Sequence, residues 1–196
     1  DVSYSFTLNK LNQNFQPSNG YKASFYQSIP LVSDDTSFTN SIQFANYYPI
    51  TDEMIFALNF YTKAINSLTG EDVRISKRAY LSSRRLRGFE SGKVGPKDGT
   101  DFIGGNYATS LNLSTTLPEL LRDLQNLDFK LFYDAGNVWG VDYNSSLDNS
   151  KIRSSTGLSI DWYTPIGPLS FSIAQPITKA DSDITEKFRF DIGTTF

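Results

Sequence analysis

The chain has 196 residues, a net charge of −3, and neither cysteine nor histidine, which excludes disulfide frameworks, thiol nucleophiles, Cys- or His-based zinc sites and histidine-dependent triads. It carries no basic stripe of the kind duplex nucleic acid requires. Mean hydropathy is only −0.34, yet aromatic residues reach 14%, with 11 Tyr and 15 Phe set mostly at alternate positions, and no apolar run is as long as a membrane-spanning helix. A membrane reading therefore rests on a β-barrel, whose strands meet lipid on one face only. The chain opens on Asp1 without Met or leader, as an excised piece or a mature segment would.

The first segment sets Val2, Tyr4, Phe6 and Leu8 against Ser3, Ser5 and Thr7, a period of two that predicts a strand with its apolar face outward. Residues 9–20, NKLNQNFQPSNG, predict a turn-rich connection. Tyr21 to Ile29 resumes the alternation, and residues 32–37 read as a short acidic turn. Phe38 to Tyr48 and Glu53 to Ile65 predict a hairpin joined through Pro49 and Thr51-Asp52. Its second strand is apolar on both faces, with Met54, Phe56, Leu58 and Phe60 on one and Ile55, Ala57 and Tyr61 on the other. Its inner face is therefore expected to pack against a plug rather than water.

The rhythm then breaks. Arg84 to Asn106, RRLRGFESGKVGPKDGTDFIGGN, is a long stretch of glycines and charge, and eight of the 18 Lys and Arg lie between Asn66 and Ile103. Long loops inside compact domains are usually functional or disordered. At the centre, Arg87-Gly88-Phe89 joins a planar, permanently charged fork to a residue of free backbone, a combination suited to reaching a carboxylate in a confined space. The competing reading is a solvated arginine in a mobile loop.

Strand rhythm returns at Asn106, with Leu111, Leu113, Thr115 and Leu117 outward and Ser110, Asn112 and Ser114 inward. Residues 118–126, PELLRDLQN, fit one helical turn or a plain hairpin connection. Leu127 to Val138 points Lys130, Phe132 and Asp134 inward; Ile152 to Tyr163 does the same for Arg153, Ser155, Ser159 and Asp161. Pro165-Ile166-Gly167-Pro168 predicts a tight reversal. Leu169 to Gln175 and Lys187 to Phe196 complete the series, the last with Phe188, Phe190, Ile192 and Phe196 outward and Arg189, Asp191 and Gly193 inward. Gly136 and Gly157 fall on inward faces, where a glycine often marks close backbone approach, as for a docking loop tip. Asp134, Asp161 and Asp191 face inward with no nucleophile or metal motif beside them, so no catalytic residue and no cofactor is assigned.

About nine strands of roughly 7 to 14 residues follow, long enough to cross a bilayer at a tilt. Short turns at Pro49, Pro118 and Pro165 fall at one end and the long loops after Ile65, Trp139 and Pro176 at the other. Outer-membrane barrels keep short turns periplasmic, which places Phe196 on the periplasmic side.

Five blocks stand in order: RGFESGKVGP (87–96), IGGN (103–106), FYDAGNVW (132–139), IRSSTGLSIDWYTPIGPLSFSIAQP (152–176) and a closing strand ending in Phe196. Together they resemble the C-terminal part of BamA-like outer-membrane β-barrel assembly factors, firmly from about Arg84 onward and in strand rhythm alone from Asp1 to Asn66. The resemblance implies an all-β fold, an antiparallel transmembrane β-barrel segment holding about nine strands of a sixteen-strand barrel, with a long inward-folding loop over about 66–103. POTRA domains and the opening strands would lie outside this chain. A sheet edge cannot face lipid unpaired, so the chain alone is not expected to close, and the missing strands would come from the rest of the protein or from another chain.

The same resemblance implies folding and insertion of client β-barrel proteins into the bacterial outer membrane, with accessory lipoproteins and outer-membrane lipids as partners and no enzymatic activity. It implies a latch in which Arg87 of the RGF loop (Arg87, Gly88, Phe89) pairs with Asp134. The second acid of the family pattern maps to Ser114, a departure that leaves Asp134 as the single carboxylate, aided by Asn112 or Ser114 as hydrogen-bond acceptors. The closing strand, with Phe188, Phe190, Ile192, Gly193 and Phe196, resembles a β-signal and one side of a lateral gate that receives a client strand by β-augmentation. One alternative is a protein-secretion pore of the same superfamily, of the two-partner type, although IGGN and TPIGPLSF favour the assembly factor. Another is a soluble lipocalin-like binder, against which the outward columns of Phe, Leu and Ile argue.

Overall fold

A computed structural model describes residues 1–31, 36–117, 126–165 and 167–192. Nine strands make one antiparallel sheet in strict chain order: β1 (Val2–Asn9), β2 (Gly20–Ile29), β3 (Ser37–Pro49), β4 (Ile55–Ser67), β7 (Tyr107–Thr116), β8 (Leu127–Trp139), β9 (Arg153–Thr164), β10 (Gly167–Thr178) and β11 (Phe188–Ile192). A small ribbon, β5 (Lys97–Asp98) with β6 (Asp101–Phe102), stands apart inside the long loop. Among the described residues β1 pairs only with β2 and β11 only with β10, so these two strands are the edges of the sheet. The readings at 32–35, at 118–125, at Ile166 and at Gly193 and Phe196 lie outside the described residues.

Residues opposite one another in antiparallel strands share a face, and the register carries the alternation of the sequence around the whole sheet. Outward rows run Phe6, Phe25, Ile42 and, further round, Leu131, Leu158, Ile173, Phe188. Most of these apolar side chains stand exposed, as lipid-facing ones would. Inward rows are polar or small apart from Phe132: Asn59, Asn112, Asp134, Ser155 form one, and Ala57, Ser114, Phe132, Gly157, Ala174 the next.

The main apolar core lies between the sheet and the long loop. Residues 68–106 fold back over the inner face, where Val73, Ala79, Leu81, Leu86, Phe89 and Val94 of the loop pack on Ile65, Ala108 and Val138 of the wall, with Tyr61 beside them. This is the plug that the two-faced apolarity of β4 calls for. Gly95 shows how tight the fit is: it sits at φ +105°, and a Cβ there would come within 2.7 Å of the Val138 side chain. The loop closes on itself through paired backbone bonds between Ala79 and Gly105, 2.7 and 3.0 Å long.

At the other end of the sheet, Thr164 and Gly167 face each other across the tight reversal, with Gly167 at φ +122°. The connection from Lys10 to Asn19 lies at this same end and is twice as long as the five residues that join β3 to β4.

Candidate functional site

Strand register brings Asn112, Asp134 and Ser155 side by side on the inner wall, and the tip of the long loop descends onto them. Arg87 donates from Nε to Asp134 Oδ2 at 2.7 Å and from Nη2 to Oδ1 at 2.7 Å, while its backbone N–H adds a third bond to Oδ2 at 3.0 Å. The Asp134 side chain has no exposed surface, and that of Arg87 is 17% exposed. Two parallel charge-assisted bonds are the strong form of this contact. The guanidinium also lies 3.5 Å from the centre of the Phe132 ring, and the Ser155 hydroxyl donates to the Arg87 carbonyl.

Gly88 makes that approach possible. Its φ is +89°, and a Cβ would stand 3.1 Å from Ser155 Cβ and 3.2 Å from Ala174 Cβ, so a side chain would hold the loop off the wall. Phe89 is buried in the loop core, and its backbone bridges Thr185. Gly136 likewise admits the loop, since a Cβ there would reach within 3.0 Å of the Leu81 side chain.

Asn112 and Ser114 take other roles than acceptors for Arg87. Asn112 donates its amide to the carbonyl of Arg85 at 2.9 Å. Ser114 faces Phe132 rather than Asp134 across β7 and β8, one inward row away, and among the described residues it makes no hydrogen bond to Arg87. The physical reason is register, which sets Ser114 opposite Phe132 instead of Asp134 and leaves the Asn112 amide facing the Arg85 carbonyl. Residues that sequence reasoning passed over, Phe132 and Ser155, complete the contact; the signal for both was their position on Asp134's own face, two residues away or directly opposite.

Two further ion pairs tie down the loops. Arg153 and Asp183 are wholly buried, with Nε to Oδ2 at 2.9 Å and Nη2 to Oδ1 at 3.0 Å. Arg78 Nη2 donates to Asp142 Oδ1 at 2.7 Å, and Asp142 Oδ2 accepts from the Val73 N–H at 2.6 Å and the Asn106 amide at 3.1 Å. Partial burial pushes the Asp142 carboxyl up, but the Val73 N–H, the Asn106 amide and the Arg78 charge outweigh it and hold the group below the usual carboxylate range.

The long loop also runs beside the closing strand. Glu186 donates its N–H to the Gly88 carbonyl at 3.0 Å and Glu90 its N–H to the Ile184 carbonyl at 3.0 Å, and Arg84 Nε lies 3.3 Å from Asp191 Oδ1. Phe188, Phe190 and Ile192 point outward and are exposed, while Arg189 turns inward to Glu186 and Asp191. Among the described residues no three His, Cys, Asp or Glu side chains gather as metal ligands would.

An antiparallel barrel sheet, apolar outside and polar within, plugged by a loop that docks an arginine on an inner-wall carboxylate, defines a class of membrane barrel. The chain belongs to the Omp85 superfamily, whose domain matches residues 1–196. Within it the chain is BamA-like and covers the C-terminal part of the barrel. It is 28% identical over 201 residues to the outer membrane protein assembly factor BamA of Neorickettsia risticii, spanning 100% of this chain and 27% of that protein. To BamA of Neisseria meningitidis serogroup B it is 28% identical over 181 residues, 78% of this chain and 20% of the relative. A SAM50-like protein of Schizosaccharomyces pombe is 32% identical over 143 residues, 68% of this chain and 30% of that protein. The crystal structure of BamA from Haemophilus ducreyi lacking POTRA domains 1–3 matches with a TM-score of 0.88 at 29% identity, over 96% of this chain and 41% of that one. The chain thus spans about a quarter of the length of the BamA relatives.

Proposed function

We propose that this chain is the closing part of an outer-membrane barrel that folds and inserts other β-barrel proteins, with Arg87 on Asp134 as the latch that holds its long loop. The bidentate contact on a carboxylate with no exposed surface carries the reading. A charge placed so deep is a costly feature to keep unless the docking it enforces is used. In this reading the strand beginning at Phe188 is one side of a lateral gate, where a client strand pairs edge to edge. The relatives named as assembly factors support clients of the β-barrel kind. Accessory lipoproteins and outer-membrane lipids are the further partners, POTRA domains and the opening strands lie elsewhere in the protein, and the C-terminus faces the periplasm.

The test is complementation. In cells depleted of the native protein, a full-length copy carrying Arg87→Ala should reach the membrane yet leave porins unfolded, read as loss of their heat-modifiable migration on gels. Normal porin folding in that strain would overturn the reading, and a selective loss of one exported protein would point to a secretion pore instead.

A further inference from the structure

The connection from Lys10 to Asn19 sits at the same end of the sheet as the reversals after Pro49 and Thr164, and it is pinned by its own hydrogen bonds. Asn12 accepts from the backbone N–H groups of Ser18 and Asn19 at 3.2 Å each, and its own N–H reaches the Asn19 carbonyl at 3.0 Å. Asn9 and Asn14 join at 3.0 Å, and Lys10 N–H bonds the Tyr21 carbonyl at 2.8 Å. Loops packed by their own side chains with closely spaced ends are ordered, frequently functional elements. Gln16, at its tip, has φ +48°, the one positive value outside glycine among the described residues. Such a backbone is uncommon for a residue with a side chain.

The strained tip is aimed across the sheet. Phe15 meets the Tyr163 ring edge-on at 5.1 Å between centroids, and Gln16 Nε2 donates to Asp128 Oδ2 at 3.5 Å. Those partners stand on β8 and β9, while the connection springs from β1 and β2. Beneath it lies a cavity of about 170 Å³ walled by β3, β4, β7, β8, β9 and β10. A second cavity of about 90 Å³ shares Asn59, Ser114 and Lys130 with the first and reaches Arg84 and Arg87 of the long loop.

We propose that residues 10–19 form a strap that shuts the short-turn mouth of the lumen, so that the lumen is a chamber closed by the strap at one end and by the long loop at the other. The proposal does not depend on the assembly reading, since a pore would need the same closure. Nothing covalent holds the strap to the far wall. A single edge-on aromatic contact and one long hydrogen bond are weak ties, so the strap is closed at rest and displaceable.

Full-length protein purified in detergent, with any cysteine outside residues 1–196 replaced by serine, tests this, since residues 1–196 contain none to compete with introduced ones. Phe15→Cys with Tyr163→Cys should join under a short bifunctional thiol reagent, with Lys130→Cys and Ser159→Cys, which face each other across β8 and β9, as the pair that must react. Separately, Asn59→Cys should label slowly with a bulky water-soluble maleimide, and about tenfold faster when Phe15→Ser and Gln16→Ser are added. No cross-link at 15 and 163 while the control pair joins, or an unchanged labelling rate at 59, overturns the strap.

Discussion

Phe132 and Gly157 stand opposite each other on β8 and β9, and the Phe132 ring fills the space that a side chain at 157 would need. A Cβ on Gly157 would lie 2.8 Å from the end of that ring and 2.0 Å from the Ile173 carbonyl oxygen. The ring in turn is the shelf on which the Arg87 guanidinium rests. Gly157→Ala should therefore push β10 or Phe132 aside and loosen the loop from a position that Arg87 never touches. Faster trypsin cleavage within residues 84–97 of the folded protein would show it; wild-type protection would not fit this packing.

The latch itself predicts non-additivity. Removing Arg87 leaves Asp134 buried without a counter-charge, and Asp134→Asn leaves the guanidinium with one good acceptor instead of two, each change costing up to roughly 3–5 kcal/mol if the site stays dry. Because both remove one interaction, the double variant should be little worse than either single. Thermal loss of heat-modifiable folding, measured for the four proteins of the cycle, decides: additive shifts mean two independent charges.

How much of this was legible in the sequence depends on the kind of contact. The period of two placed Asp134, Arg153, Asp161 and Asp191 on the inner face, because strand geometry leaves each side chain only two directions. The RGF loop was visible as a break in that period. Ser155 required register, which depends on pairing between separate strands, whereas Phe132 shares a strand and a face with Asp134 and was legible as its neighbour, though not as the shelf for Arg87. Asp183 and Asp142 sit in connections with no period at all, so nothing local marked them as partners of Arg153 and Arg78. The fold-in of residues 9–20 was equally hidden, since Asn, Gln and Gly predict a turn without predicting where its tip points.

Acid should release the outer end of the long loop before the barrel fails. The Asp142 carboxyl is held below its ordinary value, so its folded pKa is lower than its unfolded one. Its contribution is then complete above about pH 4 and is lost as pH falls through the folded pKa. Protease sensitivity near Val73 and Arg78 should rise over that acid window in the wild type. In Asp142→Asn the loop should already be loose at neutral pH, with little further change on acidification; an identical acid profile in both proteins would remove Asp142 from the account.

The wholly buried pair of Arg153 and Asp183 gives the sharpest stability test. Asp183 accepts both guanidinium bonds and also the Ala180 N–H at 2.6 Å, while Arg153 Nη1 serves the Asn137 side chain and the Lys151 carbonyl at 2.8 Å. Asp183→Leu would strand a buried cation and cost about 3–5 kcal/mol, whereas replacing a buried pair by apolar residues of similar volume is often close to neutral. Here the double change Arg153→Met with Asp183→Leu should recover only part of the loss, because Ala180 N–H, Asn137 and the Lys151 carbonyl would each lose a partner. The expected order of thermal midpoints for heat-modifiable folding is wild type, then the double variant, then Asp183→Leu. A double variant as stable as the wild type would mean that the pair contributes charge balance alone, and one no better than Asp183→Leu would mean that the surrounding hydrogen bonds, rather than the ion pair, hold residues 179–187 against β9.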